Sequence, residues 1–233
     1  MKKIHIYIGI ILLTTACSKD FETQPPAVTG FNYIPTTEGK VTLYRQTIVD
    51  IDVKVGIYDT LEWVLRETVR EQIAQSKDAK TYRVEVQRRK LDETQWQPYT
   101  VYELQLSNER IVRVDTATAV VALRFPQELD KTWQGNALNT SLDEKFKYTR
   151  FNIDTTIQTH TYDSVCEVTH RNFETMYSLQ LQKELFRKDV GLLRKEVYRV
   201  ESQQIQGKPS LDLTKPLLDR LTKGRIEILE ILD

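Results

Sequence analysis

VYELQLSNERIVRV, residues 101–114, is the stretch that decides the fold. Tyr102, Leu104 and Leu106 fall on one face and Glu103 and Gln105 on the other, the period of a half-buried strand. Ser107-Asn108-Glu109 then breaks the alternation with turn-forming residues, and Arg110 to Val114 returns apolar at Ile111, Val112 and Val114. Two such runs around a short polar turn predict a β-hairpin.

Working outward, the same period recurs. TAVVALRF (118–125) is a nearly continuous apolar run ended by Pro126, which predicts a strand buried on both faces. YRVEVQRRK (82–90) alternates in its first half. LEWVLRETVREQI (61–73) fits a helix through Leu61, Val64, Leu65, Thr68 and Gln72. It also fits a strand with Trp63, Leu65, Val69 and Ile73 opposite Arg66, Thr68, Arg70 and Gln72. The strand leaves the cleaner polar face, so we take it as a strand. Further on, 162–168 places Tyr162, Ser164, Cys166 and Val168 on one side. Segments 176–186 and 192–203 flank Lys188-Asp189-Val190-Gly191, where Gly191 can supply a positive φ. Residues 225–232 set Ile226, Ile228 and Leu232 against Leu229 and Ile231, which suits a closing strand. Short helical turns are expected over 142–147 and 217–223. The fold class is therefore mainly β: a single curved antiparallel sheet or open β-barrel with one or two short helices. Closing the sheet covers its apolar face and removes exposed edges.

The N-terminus reads as an address. Lys2 and Lys3 precede an apolar run, 4–13, broken only by His5 and Gly9, and Thr14-Thr15-Ala16 leads into Cys17. A basic end, a core of about ten apolar residues and small residues before a cut describe an export signal, too short to span a bilayer. The stretch resembles the lipobox of bacterial lipoproteins, whose cysteine is diacylated and becomes the new N-terminus. Leu13 sits one residue early, with Thr14 where leucine is usual. The alternative is an ordinary cleaved signal with a chance cysteine. The lipobox resemblance implies lipid on Cys17, with each buried methylene contributing about 0.8 kcal/mol to the anchor. Ser18 stands where an inner-membrane lipoprotein would carry aspartate. Cys17-Ser18-Lys19-Asp20-Phe21-Glu22 resembles the acidic export tags of Bacteroidota surface lipoproteins, implying the outer membrane, on its periplasmic face or at the cell surface. TQPPAVTG (23–30) is a spacer, because Pro25 and Pro26 favour extended backbone. The expected division is a signal peptide over 1–16, a lipidated tether over 17–30 and a single β-rich domain over 31–233.

Composition excludes some partners. Without 1–16 the chain carries 31 basic and 33 acidic residues, so no positive field exists to neutralise a phosphate backbone, and nucleic acid is not expected as a partner. Beyond Cys17 there is one cysteine, Cys166, which is left without an intrachain disulfide partner and reads as a small buried hydrophobe.

Four motifs come in a recognisable order: Phe125-Pro126; Trp133-Gln134-Gly135-Asn136 with Asn139; Tyr162-Asp163-Ser164-Val165; and Asp189-Val190-Gly191-Leu192-Leu193-Arg194-Lys195-Glu196. Together they resemble a Bacteroides-type family of Bacteroidota cell-envelope lipoproteins with FP, WxGN and VGLxxKE steps, over roughly residues 40–205. The resemblance implies address and fold and brings no activity with it. A looser likeness to open-barrel carriers of lipids or lipoproteins across the periplasm is one of fold alone.

Candidate chemistry is sparse. His160 and His170 share strand parity but stand about 33 Å apart on a straight strand, too far to hold one metal. We read both as solvated surface histidines. Asp50/Asp52 and Glu227/Glu230 read as charged faces. Neither a nucleophile elbow nor a glycine-rich phosphate loop is present, so no catalytic residue, metal or cofactor is expected. In WxGN, Trp133 and Asn136 are the candidate ligand or loop residues. Trp133 plugs the barrel end or, alternatively, stacks on a sugar. Gly135 permits a turn, and Asn136 bonds its own backbone. Asp59-Thr60-Leu61, Asp115-Thr116-Ala117, Asp154-Thr155-Thr156 and Asp163-Ser164-Val165 resemble Bacteroidota O-glycosylation acceptors, which makes Thr60, Thr116 and Thr155 candidate sites.

Three functions follow. The first is a non-enzymatic binding or assembly module, anchored to the membrane through its N-terminal lipid and presenting a surface to an envelope protein partner. The second is a carrier of a lipid or small apolar ligand, which requires a cavity inside the barrel. The third is a hydrolase of envelope polymers or polysaccharide, which requires clustered carboxylates or a Ser/His pair in a cleft.

Overall fold

The computed structural model describes residues 28–232 except 117, 208 and 209. Among the described residues twelve strands form one antiparallel sheet: β1 (Val41–Asp52), β2 (Ile57–Gln75), β3 (Ala79–Lys90), β4 (Gln97–Ser107), β5 (Arg110–Asp115), β6 (Thr118–Arg124), β7 (Thr132–Gln134), β8 (Lys145–Ile157), β9 (His160–Glu174), β10 (Ser178–Arg187), β11 (Gly191–Glu201) and β12 (Lys223–Leu232). Each pairs with its sequence neighbour, and β12 pairs with β1 from Leu43↔Leu232 to Asp52↔Lys223. The sheet is thus an up-and-down meander joined through its terminal strands and interrupted at one place, between β6 and β7. It is nearly closed into a barrel, and the helical structure among the described residues is two 3-10 turns, Gly30–Asn32 and Leu217–Arg220.

The β6–β7 gap is bridged mainly by side chains. The cis peptide Phe125-Pro126 ends β6, and β7 is three residues long. Val121 N donates to Gly135 O (2.8 Å), and Trp133 Nε1 donates to Val121 O (2.7 Å). Asn139 Nδ2 donates to Ala119 O (2.7 Å). Tyr148 OH accepts from Arg124 N (3.1 Å) and donates to Arg124 O (2.8 Å). An edge strand that would present unpaired amides is thereby satisfied. Trp133 also packs on Tyr148 (centroids 4.8 Å apart) and edge-on against Phe146 (6.0 Å). A Cβ at Gly135 would come within 2.3 Å of the Phe146 ring, so close ring packing demands this glycine in addition to the turn it opens.

The inner face carries the core: Tyr44, Leu65, Val84, Leu104, Ile111, Phe146, Val168, Leu193, Leu229 and Ile231 among others. Outside β10–β12, a second cluster forms where Leu217 lands on Leu179 and Val200, with Tyr198, Leu221 and Ile226 around it. That explains why β12 is apolar on both sides: Leu229 and Ile231 face in, whereas Ile226 meets this outer cluster. Arg220 pins the covering loop, donating to Ser202 Oγ (3.0 Å) and Met176 O (2.6 Å). Alongside runs an ionic ladder across four strands, Glu167–Lys183–Glu196–Arg194–Glu230, with separations of 2.6–3.9 Å.

The hairpin, the strand over 61–73 and the doubly buried β6 form as the residues predict: Val120 and Ala122 face inward, while Val121 and Leu123 are fully buried on the opposite side. Two expectations differ. The turn over 142–147 is not helical: β8 starts at Lys145, because Phe146 and Tyr148 alternate into the core, and Leu142 stands exposed before it. Ser164 leaves the inner face of β9. It takes φ 53°, as does Asn152 on β8, and the pairing of β8 with β9 shifts along this stretch, so Tyr162 faces in, Ser164 is exposed, and Cys166 and Val168 return.

Removing the Tyr148 hydroxyl tests the seam. Tyr148→Phe leaves both backbone polar groups of Arg124 without this partner in a part-buried place, an expected loss of about 1–3 kcal/mol in urea unfolding. Tyr58→Phe, at a hydroxyl on the exposed face of β2, is expected to stay within about 0.5 kcal/mol.

Candidate functional site

Charged residues on the inner parity of five strands converge on a cavity of about 580 Å³ inside the barrel. On β2, Glu67 lies between Leu65 and Val69; on β5, Arg113 follows Ile111; β9 brings His170, β10 Glu184 and β11 Lys195. The register explains the arrangement. Leu104, Arg113 and Val120 align across β4–β6, Val69, Val84, Tyr102 and Asp115 across β2–β5, and Glu184 stands opposite Lys195. The remaining walls are apolar, with Val84, Leu104, Ile111, Val120 and Phe186 prominent.

Two polar groups face each other across this space. In one, Tyr102 OH donates to Glu67 Oε2 (3.0 Å), and the Arg113 guanidinium lies over the Tyr102 ring, 4.0 Å from its centroid. Burial pushes Glu67 above the usual carboxylate range, countered only in part by Arg113, the Tyr102 hydroxyl and Lys195. Glu67 keeps partial exposure because it opens onto the cavity. In the other, Glu184 lies 3.4 Å from Lys195 Nζ and 3.3 Å from His170 Nε2. Burial by itself would raise Glu184; His170, Lys195 and Arg113 together outweigh it and hold the carboxyl well below the usual range. Gln182 Nε2 lies 2.9 Å from His170 Nδ1. His170 Nε2 faces Glu184 without hydrogen-bond alignment, and Phe146 stacks on its ring at 3.7 Å. Arg113 and Lys195 both act on Glu67 and on Glu184, so the two groups are one electrostatic cluster.

The residues singled out from the sequence scatter. Cys17 lies outside the described residues. Thr60 is exposed on β2 opposite Val49, and Thr155 is half-buried on β8 opposite Tyr162. Thr116, at φ 52° in the β5–β6 turn, is exposed and lines the cavity together with Asn136. Asn136 Nδ2 donates to Leu142 O (2.8 Å) and its Oδ1 accepts from Asn139 (3.1 Å). Trp133 is buried in the seam. Cys166 is buried; its sulfur meets Tyr33 OH and Gln127 Nε2, each at 3.2 Å, and burial pushes the thiol up to about 11.

The histidines need correction. His160 is exposed as expected, but His170 is 6% exposed and stacked on Phe146, because β9 turns that position toward the cavity. Glu67, Arg113, Glu184 and Lys195 were also passed over. The signal was there: Glu67 is a charged residue set between Leu65 and Val69 on the apolar parity, and Arg113 holds the same place after Ile111. Among the described residues, no three of His, Cys, Asp and Glu converge to hold a metal ion.

No family model matches the chain, and no curated protein matches it. Among solved structures, a candidate lipoprotein from Parabacteroides distasonis is similar, at 13% identity and a TM-score of 0.42, with the match covering 88% of this chain and 99% of that one. The functional reading below therefore rests on the cavity.

The two buried glutamates have opposite pH signatures. Glu67, raised in the fold, withdraws stability as pH climbs through its folded value; Glu184, depressed, withdraws it as pH falls through its own. Glu67→Gln is expected to be more stable than the parent at pH 7, an advantage that closes toward about pH 4.3, where the free-chain carboxyl also becomes neutral. Glu184→Gln is expected to be less stable at pH 7, a deficit that shrinks only below about pH 4.3. Urea unfolding across that range checks both, and curves that move together would contradict the assignment.

Proposed function

We propose that this protein is a non-enzymatic binding module of the cell envelope, anchored to the outer membrane by lipid on Cys17, that carries a small amphipathic ligand inside its barrel. The observation behind this reading is the cavity. Its volume of about 580 Å³ falls within the roughly 300–1,000 Å³ of small-molecule sites, and apolar walls surround a few convergent polar groups. A purely packed interior would have favoured the surface-presenting assembly module instead.

The same groups argue against the hydrolase. Glu67 is engaged by Tyr102, and Glu184 by Lys195 and His170, while among the described residues the lining holds threonines but neither serine nor cysteine. A nucleophile beside a base is the usual requirement for covalent hydrolysis. The anchor rests on the export signal and Cys17, and the address on the residues that follow it.

Two measurements test this. Cys17→Ala is expected to move the protein from the membrane pellet to the soluble fraction; a variant that stays in the pellet after a salt wash removes the anchor. The full chain purified from its native envelope is expected to release a small molecule on organic extraction, near one per chain by mass spectrometry. Ala122→Trp, which places an indole in the cavity, is expected to lose it. Identical extracts from both proteins would refute an internal ligand.

A further inference from the structure

The head of the ligand is written in Arg113, a half-buried cation of the cavity wall that feels Glu67, Glu184 and Asp115 through space but makes no ion pair with them. Most charges in the cavity wall have partners: Glu184 meets Lys195 and His170, Glu67 holds the Tyr102 hydroxyl, and Glu144 pairs with Arg171 at 2.9 Å. Arg113 differs. Its guanidinium stacks on the Tyr102 ring, and no protein oxygen among the described residues lies within hydrogen-bond or ion-pair distance of it. Five N–H donors in a fixed fork therefore border open space, where an acceptor is worth more than in water. The buried His170 Nε2 is a second polar atom in the same cavity without an aligned hydrogen-bond partner, and His170 is 6% exposed.

The missing acceptor carries negative charge. A guanidinium fork matches a carboxylate bidentately, and such charge-assisted pairs are about twice as strong as neutral ones. Glu67 does not supply it. Its oxygen is already bonded to Tyr102, and burial favours its neutral form, whose proton can serve as a further donor. Beyond Arg113 the walls are the side chains of Val84, Leu104, Ile111, Val120 and Phe186, which offer an acyl chain apolar contact and no hydrogen bonds.

We infer that the cavity takes a single-chain amphiphile with a carboxylate head, and that Arg113 receives that head while the chain lies along the apolar walls. This rests on the internal-ligand reading above and adds the ligand's charge and shape. The opposite choice, a cationic head seated on Glu184, is disfavoured because Lys195 and His170 already occupy that carboxylate.

Calorimetry on the full chain in lipid discs, blanked against empty discs, decides it with three probes of equal chain length: octanoate, octan-1-ol and octylamine. Octanoate is expected to bind at least about tenfold more tightly than octan-1-ol, the factor a hydrogen bond to a charged group supplies. Arg113→Gln is expected to erase that difference by weakening octanoate alone, and Arg113→Lys to restore part of it. Equal binding of octanoate and octan-1-ol, or tighter binding of octylamine, overturns the carboxylate head and leaves an internal ligand standing. Silence from all three probes, together with an empty envelope extract, overturns both. The probe series on the parent protein decides the head even where Arg113→Gln fails to fold.

Discussion

Closure of the barrel depends on how β6 is satisfied at an edge where no full strand reaches it. In a meander whose first and last strands pair, the one remaining gap is free to splay, and an open edge exposes backbone donors and acceptors that water or another chain would claim. Here the Trp133 indole, the Tyr148 hydroxyl and the Asn139 amide substitute for a neighbouring strand. These rigid or short side chains come from segments just after the gap, so the chain supplies its own seal. The inner wall of the cavity follows from that, because Val120, Ala122 and Arg113 hold their places only while β5 and β6 stay curled over β8 and β9.

A sealed barrel of this size would normally fill with apolar side chains, and burying charge in it is costly unless the charge is paired. The interior handles this unevenly. Glu184 is held ionised by the cations around it, whereas Glu67 is pushed toward its neutral form beside Tyr102. On the outer face the glutamates at 167 and 196 are equally buried, yet the ladder through Lys183 and Arg194 pairs each of them. The contrast separates structural charge from charge that awaits a partner. Paired networks line packed surfaces; Arg113 borders empty volume.

Period-two alternation made most strands legible, since side chains point to opposite faces at every second residue whatever the strand later packs against. The hairpin at 107–109, the doubly buried β6 and the positive φ of Gly191 were all readable in this way. Two features escaped it. A short polar lead-in hid the start of β8, where Phe146 and Tyr148 carry the pattern over only a few residues. Irregularities at Asn152 and Ser164 turn Ser164 outward although counting by twos puts it inside, whereas His170 follows the parity of Cys166 and Val168 into the barrel and was missed because histidine was read as a surface residue.

From the residues alone came the expectation of an export signal ending at Cys17, the absence of a basic field and a sheet with one face turned inward. Each of these is local, a matter of spacing or composition within a few residues. Whether the inward face packs solid or encloses a cavity, and which charges meet there, was decided only by tertiary structure. Glu67, Arg113, His170, Glu184 and Lys195 lie on five different strands, and their encounter depends on curvature, register shifts and the β6–β7 seam. Those are properties of strands meeting around a closed circuit, and no single stretch of chain contains them.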